Sequence, residues 1–346
     1  MSTTPTGARP PLLEVRDLRT YFYNRNTIAR AVDGVSFTLE RGRTLGIVGE
    51  SGSGKSVTMM SLVRLVPKPA GRIVSGEILL EGTDLLKLSD SQMRAVRGSS
   101  ISVVTQDPMT SLNPVYQIGN QLEEPLRLHQ HITNRLDLRK KVIDALRQVG
   151  IPAPEMRVKS YPHQMSGGQR QRVVTAMALE CHPSLLICDE PTTALDVTVQ
   201  MQILRLLKDV QRDLNLGMIL VTHDLAVVAR VCDDVAVMYA GRIVEKAPIV
   251  SIFERPSHPY TQALMRSLST ETDAQGKLYS IDGQPPDVRS LGKGCPFAPR
   301  CPKVMDICKT EFPPSVRVTP EHTALCWDAA KTAGLPMEAA ATGAAL

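Results

Sequence analysis

The pattern of hydrophobic and polar positions predicts strands in the first part of the chain. Residues 12–48 predict strands, because apolar and polar side chains alternate in VSFTL and a buried run follows at residues 45–48. Residues 57–66 carry apolar side chains at helical spacing, and residues 71–86 return to strand character with glycines as turn marks. We therefore expect an N-terminal antiparallel β region.

The pattern changes in the second part of the chain. Residues 107–165 carry helical patterns broken by prolines, which predicts a helical subdomain. From residue 166 onward a helix, the apolar strand LLICD, a long helix, the strand MILVTHD, a helix and a strand pair follow. Strands alternating with helices predict a parallel sheet covered on both faces. The expected fold class is α/β with a mixed sheet.

Periodicity and composition together suggest the domain organisation. The 346 residues suffice for one large and one smaller domain, and a hydrophobic content of 42% can fill a sizeable core. We expect a disordered tail over residues 1–11 and a main domain over residues 12–255. A small domain rich in proline and cysteine is expected over residues 256–328, and a mobile tail over residues 329–346.

Charge and hydropathy indicate which ligands and which cellular location suit the protein. A net charge of +5 suits phosphate ligands or an anionic membrane surface without requiring either. No apolar stretch approaches the roughly 20 residues that a membrane-spanning helix needs, and the N-terminus lacks the pattern of a signal peptide. We therefore expect a cytosolic location, in which cysteines stay reduced and form no disulfide framework.

A glycine-rich segment has the spacing G-x-x-x-x-G-K-[ST] of a phosphate-binding loop. The glycines let successive backbone N–H groups curl around phosphates, and the helix that follows directs its N-terminus at the same anion. Lysine supplies a charge to the β- and γ-phosphates, and the last serine is placed to bind Mg²⁺. The segment consists of Gly49, Glu50, Ser51, Gly52, Ser53, Gly54, Lys55 and Ser56.

Two carboxylates, Asp189 and Glu190, follow the apolar strand at residues 184–188. A strand buried on both faces cannot hold them internally, so they are expected at its carboxyl end, where ligands collect in parallel sheets. We expect Asp189 to hold Mg²⁺ and Glu190 to polarise the attacking water. Such a pair alone is a weak signal, and the phosphate loop upstream strengthens it.

The residues Met165, Ser166, Gly167, Gly168 and Gln169 end 20 residues before Asp189 and open a helix. Free N–H groups and the helix dipole there form a second anion cradle. The motif resembles the signature of ABC ATPases, with methionine in place of the usual leucine. In that family the signature of one subunit closes over the nucleotide held by the other, so the resemblance implies an ATP-sandwich dimer.

The remaining ABC elements occur in order, and the resemblance covers residues 12–255. It implies that Gln106 contacts Mg²⁺ and the attacking water, that Asp196 belongs to a loop crossing the dimer interface, and that His223 contacts the γ-phosphate. An aromatic residue at Tyr21, Phe22 or Tyr23 is expected to stack on adenine, and Phe22 is favoured by its distance from the phosphate loop. The resemblance thus implies ATP hydrolysis with ATP and Mg²⁺, catalysed by Glu190, His223 and Gln106, with the metal held by Ser56, Gln106 and Asp189.

The region after residue 256 resembles the C-terminal extension of ATPase subunits in oligopeptide and dipeptide importers. It contains HPY, IDGQPPD and two Cys-Pro pairs. The resemblance implies two transmembrane permease partners, a second ATPase subunit and an extracytoplasmic solute-binding protein. The second ATPase is expected to be a related chain, with a second copy as the alternative. It also implies a peripheral position on the cytoplasmic face of the cell membrane. Related systems with this extension move nickel or oligosaccharides.

Four cysteines in this region are spaced C-x5-C-x6-C-x17-C. Clustered thiols in a reducing compartment suggest a metal site, and the paired C-x2–4-C spacing of zinc sites is absent. The wide spacing and the Cys-Pro pairs favour a structural [4Fe–4S] cluster, as does the family resemblance. Zinc and unliganded thiols remain alternatives. The cysteines are Cys295, Cys301, Cys308 and Cys326.

The leading hypothesis is therefore the ATP-hydrolysing motor of a di- or oligopeptide importer. A soluble ABC ATPase in DNA repair or translation is an alternative of another class. Such proteins usually carry two cassettes or long coiled coils, whereas this chain has one cassette and no basic, aromatic-interleaved stretch for nucleic acid. An exporter motor is the third possibility, but exporters often fuse the cassette to membrane helices. We expect no nucleic-acid partner.

Overall fold

A computed structural model of the protein describes residues 10–193, 195–268 and 279–332. The tails expected over residues 1–11 and 329–346 lie mostly outside these residues. The strands are β1 Leu13–Asn24, β2 Thr27–Leu39, β3 Thr44–Val48, β4 Gly71–Leu80, β5 Thr83–Asp84, β6 Ile101–Val104, β7 Leu185–Asp189, β8 Gly217–Thr222, β9 Asp234–Tyr239, β10 Arg242–Pro248, β11 Ser315–Thr319 and β12 His322–Leu325.

The helices lie between and after these strands. They are α1 Lys55–Leu62, α2 Asp90–Val96, α3 Pro108–Ser111, α4 Ile118–His129, α5 Arg135–Gln148, α6 Pro154–Arg157, α7 Gly167–Leu179, α8 Val197–Leu214, α9 Leu225–Val231, α10 Ile249–Glu254, α11 Pro259–Leu268, α12 Asp306–Thr310 and α13 Trp327–Thr332. None of the helices in the described ranges is long and apolar enough to cross a membrane.

A sheet of eight strands in the described residues forms the centre of the fold, in the order β11-β12-β10-β9-β3-β8-β7-β6. Strands β6, β7, β8, β3 and β9 run parallel, while β10, β12 and β11 are antiparallel to their neighbours. The predicted α/β fold with a mixed sheet is therefore confirmed. The parallel strands bring their carboxyl ends to one edge of the sheet.

Each face of the main sheet packs into a different hydrophobic core. Leu185 and Ile187 of β7 point into one core, and Leu186 and Cys188 point into the other. Because successive side chains of a strand alternate between faces, a strand buried on both sides must be apolar at every position. This explains the continuous apolar run before Asp189.

A second, antiparallel sheet covers one of these cores. Its order is β2-β1-β4-β5, and β1 pairs antiparallel with both β2 and β4. Helix α1 packs in the same core through Met59 and Leu62. The hydroxyl oxygens of Thr20 in β1 and Ser61 in α1 lie 2.8 Å apart. The second sheet thus supports the helix that follows the phosphate loop.

Helices α4, α5 and α7 pack on one another through fully buried side chains, with Leu122, Val142 and Val173 among them. Between β6 and α7 the chain forms α3, α4, α5, α6 and a single 3-10 turn at Pro162–Gln164. Helical segments therefore occupy residues 107–165. The start of α7, which follows these helical segments, lies beside α8.

The region after residue 256 contributes strands to the main sheet. β12 pairs with β10 by aligning Ala324 with Glu245, and β11 pairs with β12. Glu245 is 1% exposed and accepts hydrogen bonds from the backbone N–H groups of Ser257 and His258, while His322 Nε2 lies 2.7 Å from its Oε1. This buried carboxylate joins β10 to two separate parts of the C-terminal region.

Glu180 follows α7 and is a buried carboxyl group, so its burial can be tested by the pH dependence of stability. It is 7% exposed, and burial raises its pKa from 4.5 to about 8. Between these values the folded chain keeps a proton that the unfolded chain has released, so this residue lowers stability as pH rises. Glu180→Gln should match wild type near pH 5 and exceed its stability at pH 8 by on the order of 3 kcal/mol.

Urea unfolding at pH 5 and pH 8 measures this difference. Glu254→Gln is the matched control, because Glu254 is exposed at the end of α10 and should leave the pH dependence of unfolding unchanged. An equal stability difference between Glu180→Gln and wild type at both pH values would contradict the assignment.

Candidate active site

The phosphate loop connects β3 to α1, and its glycines are required by close backbone approaches. Gly49 has a φ of 154° and Gly54 a φ of 105°. A Cβ at Gly49 would lie 2.2 Å from the carbonyl oxygen of Met238, and one at Gly54 would lie 2.3 Å from that of Ala31. No other residue fits these two positions, so the loop shape depends on both glycines.

Lys55, the first residue of α1, folds back over the loop. Its Nζ donates to the carbonyl oxygens of Gly49 at 2.7 Å and Glu50 at 2.9 Å. The side chain is 6% exposed, and burial lowers its pKa while the nearby carboxylates of Glu190, Asp189 and Glu50 oppose that shift. The ammonium group is thus held by two backbone carbonyl oxygens of the phosphate loop.

Asp189 ends β7 next to the start of α1. Ser56 Oγ donates to Asp189 Oδ1 at 3.3 Å, and burial raises the pKa of Asp189. A hydroxyl and a desolvated carboxylate oxygen are the hard ligands that Mg²⁺ prefers. These two side chains therefore fit a Mg²⁺ ion beside the phosphate loop.

Glu190 is held by three side chains, two of them from other segments of the chain. Gln106 Nε2 and Thr193 Oγ1 donate to Glu190 Oε2 at 3.2 Å and 2.9 Å. His223 Nδ1 lies 3.3 Å from Glu190 Oε1. Glu190 also adopts a φ of 47°, a left-handed conformation that a non-glycine residue adopts only at a cost. The structure thus brings together the predicted Gln106, Glu190 and His223, and adds Thr193, which lies three residues after Glu190 and had no sequence signal.

A cavity of about 550 Å³ lies over the phosphate loop. Its lining combines loop residues with the groups around Glu190: Ala31, Ser51, Gly52, Gly54, Lys55, Ser56, Val57, Gln106, Glu190 and His223. Phe22 lies elsewhere on β1, where it aligns with Ala29 and Gly71. Its stacking on adenine stays a prediction.

The signature residues form the capped start of α7. Ser166 Oγ accepts from the backbone N–H of Gln169 at 3.3 Å, and Gln169 Oε1 accepts from the N–H of Ser166 at 3.1 Å. Ser166 and Gly167 are exposed, while a Cβ at Gly168 would lie 2.6 Å from Val199 of α8. None of these residues belongs to the lining of the phosphate-loop cavity. The second cradle therefore opens to solvent, apart from the first.

Asp196 lies beside the signature rather than beside the phosphate loop. It caps α8 by accepting from the backbone N–H of Val199 at 2.9 Å, and it is exposed. Because Gly168 also packs on Val199, the signature and the predicted interface loop share one surface. Ser166, Gly167 and Asp196 on that surface are exposed.

The predicted iron–sulfur cluster on the four C-terminal cysteines is wrong. No group of three or more His, Cys, Asp or Glu side chains in residues 10–193, 195–268 and 279–332 is arranged to hold a metal ion. Burial raises the pKa of Cys295 to about 12 and that of Cys326 to about 11, which keeps these thiols neutral. Cys295 and Cys301 pack against the hydrophobic core, and Cys308 is itself buried. Linear spacing could not distinguish this packing from ligation.

Comparison with known proteins places these features in context. The family model described as ABC transporter matches residues 32–193. The model described as oligopeptide/dipeptide transporter, C-terminal region, matches residues 244–308. The two matches correspond to the segment with the phosphate loop and to the segment that begins in β10.

Similar proteins extend over nearly the whole chain. A probable peptide ABC transporter ATP-binding protein of Sinorhizobium fredii is 49% identical over 317 residues, covering 91% of this chain and 94% of that protein. The dipeptide transport ATP-binding protein DppD of Bacillus subtilis is 49% identical over 316 residues, with 91% and 94% covered. The oligopeptide transport ATP-binding protein OppD of the same organism is 49% identical over 317 residues, with 91% and 88% covered.

Solved structures share the fold. The dimeric ATP-binding cassette MJ0796 bound to ADP and Pi has a TM-score of 0.62 at 25% identity, covering 68% of this chain and 98% of that one. CbiO1 of Clostridium perfringens, described as part of an ABC transporter complex, has a TM-score of 0.60 at 29% identity, covering 71% and 92%.

Gly54→Ala tests the loop geometry. Alanine at a φ of 105° and within 2.3 Å of the Ala31 carbonyl must displace the backbone that presents the N–H groups, so nucleotide binding should fall by at least about tenfold. Titration calorimetry with ADP measures the loss. Gly292→Ala is the matched control, because no atom lies within 4 Å of its Cβ position. Unchanged affinity in Gly54→Ala would show that this loop does not hold the nucleotide.

Proposed function

The chain belongs to the family of ABC transporter ATP-binding proteins and is an ATPase, and from this premise we propose that it drives the import of di- or oligopeptides. The observation that carries the proposal is identity of 49% over about nine-tenths of the chain to proteins named for peptide transport. The match to the oligopeptide/dipeptide transporter C-terminal region supports the same cargo class.

In the proposed binding step, the phosphate loop holds the β- and γ-phosphates of ATP. Backbone N–H groups of the loop other than those of Glu50 and Ser53, which are bonded within the protein, would surround the phosphates, and Lys55 would exchange a carbonyl contact for a phosphate oxygen. Ser56, Asp189 and Gln106 would hold Mg²⁺, which when bound neutralises charge on the β- and γ-phosphates. Phe22 is the proposed adenine contact.

In the proposed chemical step, Glu190 is the general base. Its carboxylate accepts a proton from water as the water oxygen attacks the γ-phosphorus, and the bond to the ADP oxygen breaks in line. Gln106, Thr193 and His223 hold Glu190 in place, which fixes the direction from which water is activated. His223 is 59% exposed on its side chain, so it can also turn to the γ-phosphate.

The solvent-facing signature supports a dimer as the active form. Ser166, Gly167, Gly168 and Gln169 of one subunit would cap the nucleotide held by the other, with Asp196 at the interface between them. This arrangement uses the amides at the start of α7 on the transition-state charge. We propose that the second ATPase is a related chain rather than a second copy.

The proposed assembly lies on the cytoplasmic face of the cell membrane. The two ATPases would drive two transmembrane permeases, which receive cargo from an extracytoplasmic solute-binding protein. Residues 12–255 would form the ATPase domain, which includes the helical subdomain at residues 107–165. Residues 256–328 would form the importer-type C-terminal extension, including its cysteine-rich segment.

Affinity purification of Glu190→Gln with Mg-ATP tests this assembly. Removing the base should trap the closed dimer, so purification from detergent-solubilised membranes should recover two multi-span permeases and a related ATPase. Glu254→Gln, which changes an exposed residue outside the site, is the matched control. It should recover smaller amounts of these partners, because it still hydrolyses ATP and the closed dimer reopens. Recovery of ribosomal or DNA-repair proteins without membrane proteins would contradict the transport proposal.

The cargo is tested with the solute-binding protein of the same transport system, identified from the recovered permeases. Thermal-shift titration with a di- and oligopeptide mixture should raise its Tm by several degrees through mass action. A shift with Ni²⁺ or with an oligosaccharide, and none with peptides, would contradict the peptide assignment and leave the ATPase motor standing.

A further inference from the structure

Glu50, the second residue of the phosphate loop, is tied to the C-terminal region by three hydrogen bonds. Arg300 Nη1 donates to Glu50 Oε2 at 2.7 Å, and Arg300 Nη2 donates to Glu50 Oε1 at 2.9 Å. The backbone N–H of Glu50 donates to the hydroxyl oxygen of Tyr260 at 2.9 Å. Two parallel charged bonds and one backbone bond therefore fix both the side chain and the main chain of this residue.

The same residue is central to the loop itself. The carbonyl oxygen of Glu50 accepts from Lys55 Nζ at 2.9 Å and from the backbone N–H of Ser53 at 3.2 Å. A movement of Glu50 would therefore shift the turn that presents the amides and the contact that places the lysine. The loop and the C-terminal region meet at one residue, 250 positions from Arg300.

Arg300 is itself fixed and removed from solvent. Its side chain is 4% exposed, its Nε donates to the carbonyl oxygen of Asp282 at 2.9 Å, and its Nη1 lies 3.3 Å from the Tyr239 hydroxyl. The hydrogen bonds with Glu50 raise the pKa of Arg300. Solvent and salt screen such a pair far less than a surface ion pair.

An aromatic cluster supports this contact from below. The rings of Tyr239 and Tyr260 lie 4.6 Å apart between centroids, and Phe297 lies 5.3 Å and 5.4 Å from them. Tyr239 belongs to β9, Tyr260 to α11 and Phe297 to the segment that leads into Arg300. Parts of the chain far apart in sequence thus form a rigid base for the guanidinium.

We propose that Arg300 is a positioning residue for the ATP site, and that through Glu50 the C-terminal region sets the affinity of the phosphate loop for nucleotide. The proposal rests on the proposed binding of ATP at Lys55. Coupling between two sites is reciprocal, so nucleotide bound at the loop must stabilise the C-terminal contact by the same factor. The C-terminal region then has a role in nucleotide binding as well as in the fold.

Nucleotide affinity of the full chain tests the proposal. Arg300→Gln and Glu50→Gln should each weaken ADP binding in titration calorimetry by about tenfold, within the range of coupled charged contacts. The double variant should be no weaker than either single variant, because both changes remove one interaction. Arg300→Lys, which keeps the charge and loses the paired geometry, should fall between wild type and Arg300→Gln.

Lys303→Gln is the matched control. Lys303 lies three residues from Arg300 and pairs with Asp328 at 3.1 Å on the surface, so its loss should leave ADP affinity unchanged. Lys55→Ala tests the underlying assignment separately. Wild-type affinity in Lys55→Ala would overturn the proposed ATP site itself, whereas loss of binding there with wild-type affinity in Arg300→Gln would overturn only the positioning role.

Hydrogen exchange distinguishes positioning from a purely structural role. In wild type, ADP should slow amide exchange in residues 295–301, and Glu50→Gln, which leaves the other contacts of Arg300 in place, should abolish that protection. Nucleotide protection that persists in Glu50→Gln would overturn the proposal. So would a double variant about a hundredfold weaker than wild type, the product of two independent tenfold losses. If Arg300→Gln fails to fold, Glu50→Gln alone decides through both measurements.

Discussion

The parallel pairing of β3, β7 and β8 is the constraint on which the site depends. In the sheet Val48 aligns with Thr222, and Asp189 aligns with Val221, so three strands end at the same level. The phosphate loop, the two carboxylates and His223 each lie at one of these ends. The side chains that must meet are therefore brought together by backbone hydrogen bonds, and the loops add only local detail.

Burial on both faces of this sheet fixes that register. A one-residue shift of β7 would exchange the side chains that fill the two cores, so the apolar run before Asp189 admits one alignment. The second sheet and α1 complete the core behind the loop, while β12 extends the sheet on its other side. The strands that carry the site therefore belong to one continuous sheet, which includes two strands from the C-terminal region.

Local sequence was sufficient for the features that depend on spacing within one segment. The loop from Gly49 to Ser56, the capped signature at Ser166 and the carboxylates after β7 are all of this kind. Other features gave no signal. Thr193 lies only three residues from Glu190 but belongs to no motif, and the contacts of β12 with β10 and of Arg300 with Glu50 join segments far apart in sequence. The wrong iron–sulfur prediction has the same origin, because a spacing suited to ligation also suits thiols that pack against a hydrophobic core.

In the proposed dimer, each chain carries two separate halves of an ATP site, and each half is completed by the other subunit. Vanadate photocleavage of the purified transporter tests it most directly, because vanadate trapped with Mg-ADP takes the place of the γ-phosphate and cuts the backbone beside it under ultraviolet light. We expect cuts in this chain both within the phosphate loop and at Ser166, located by mass spectrometry. Cleavage confined to the phosphate loop would contradict this arrangement. In that result neither Ser166 nor the signature of the second ATPase would be cut.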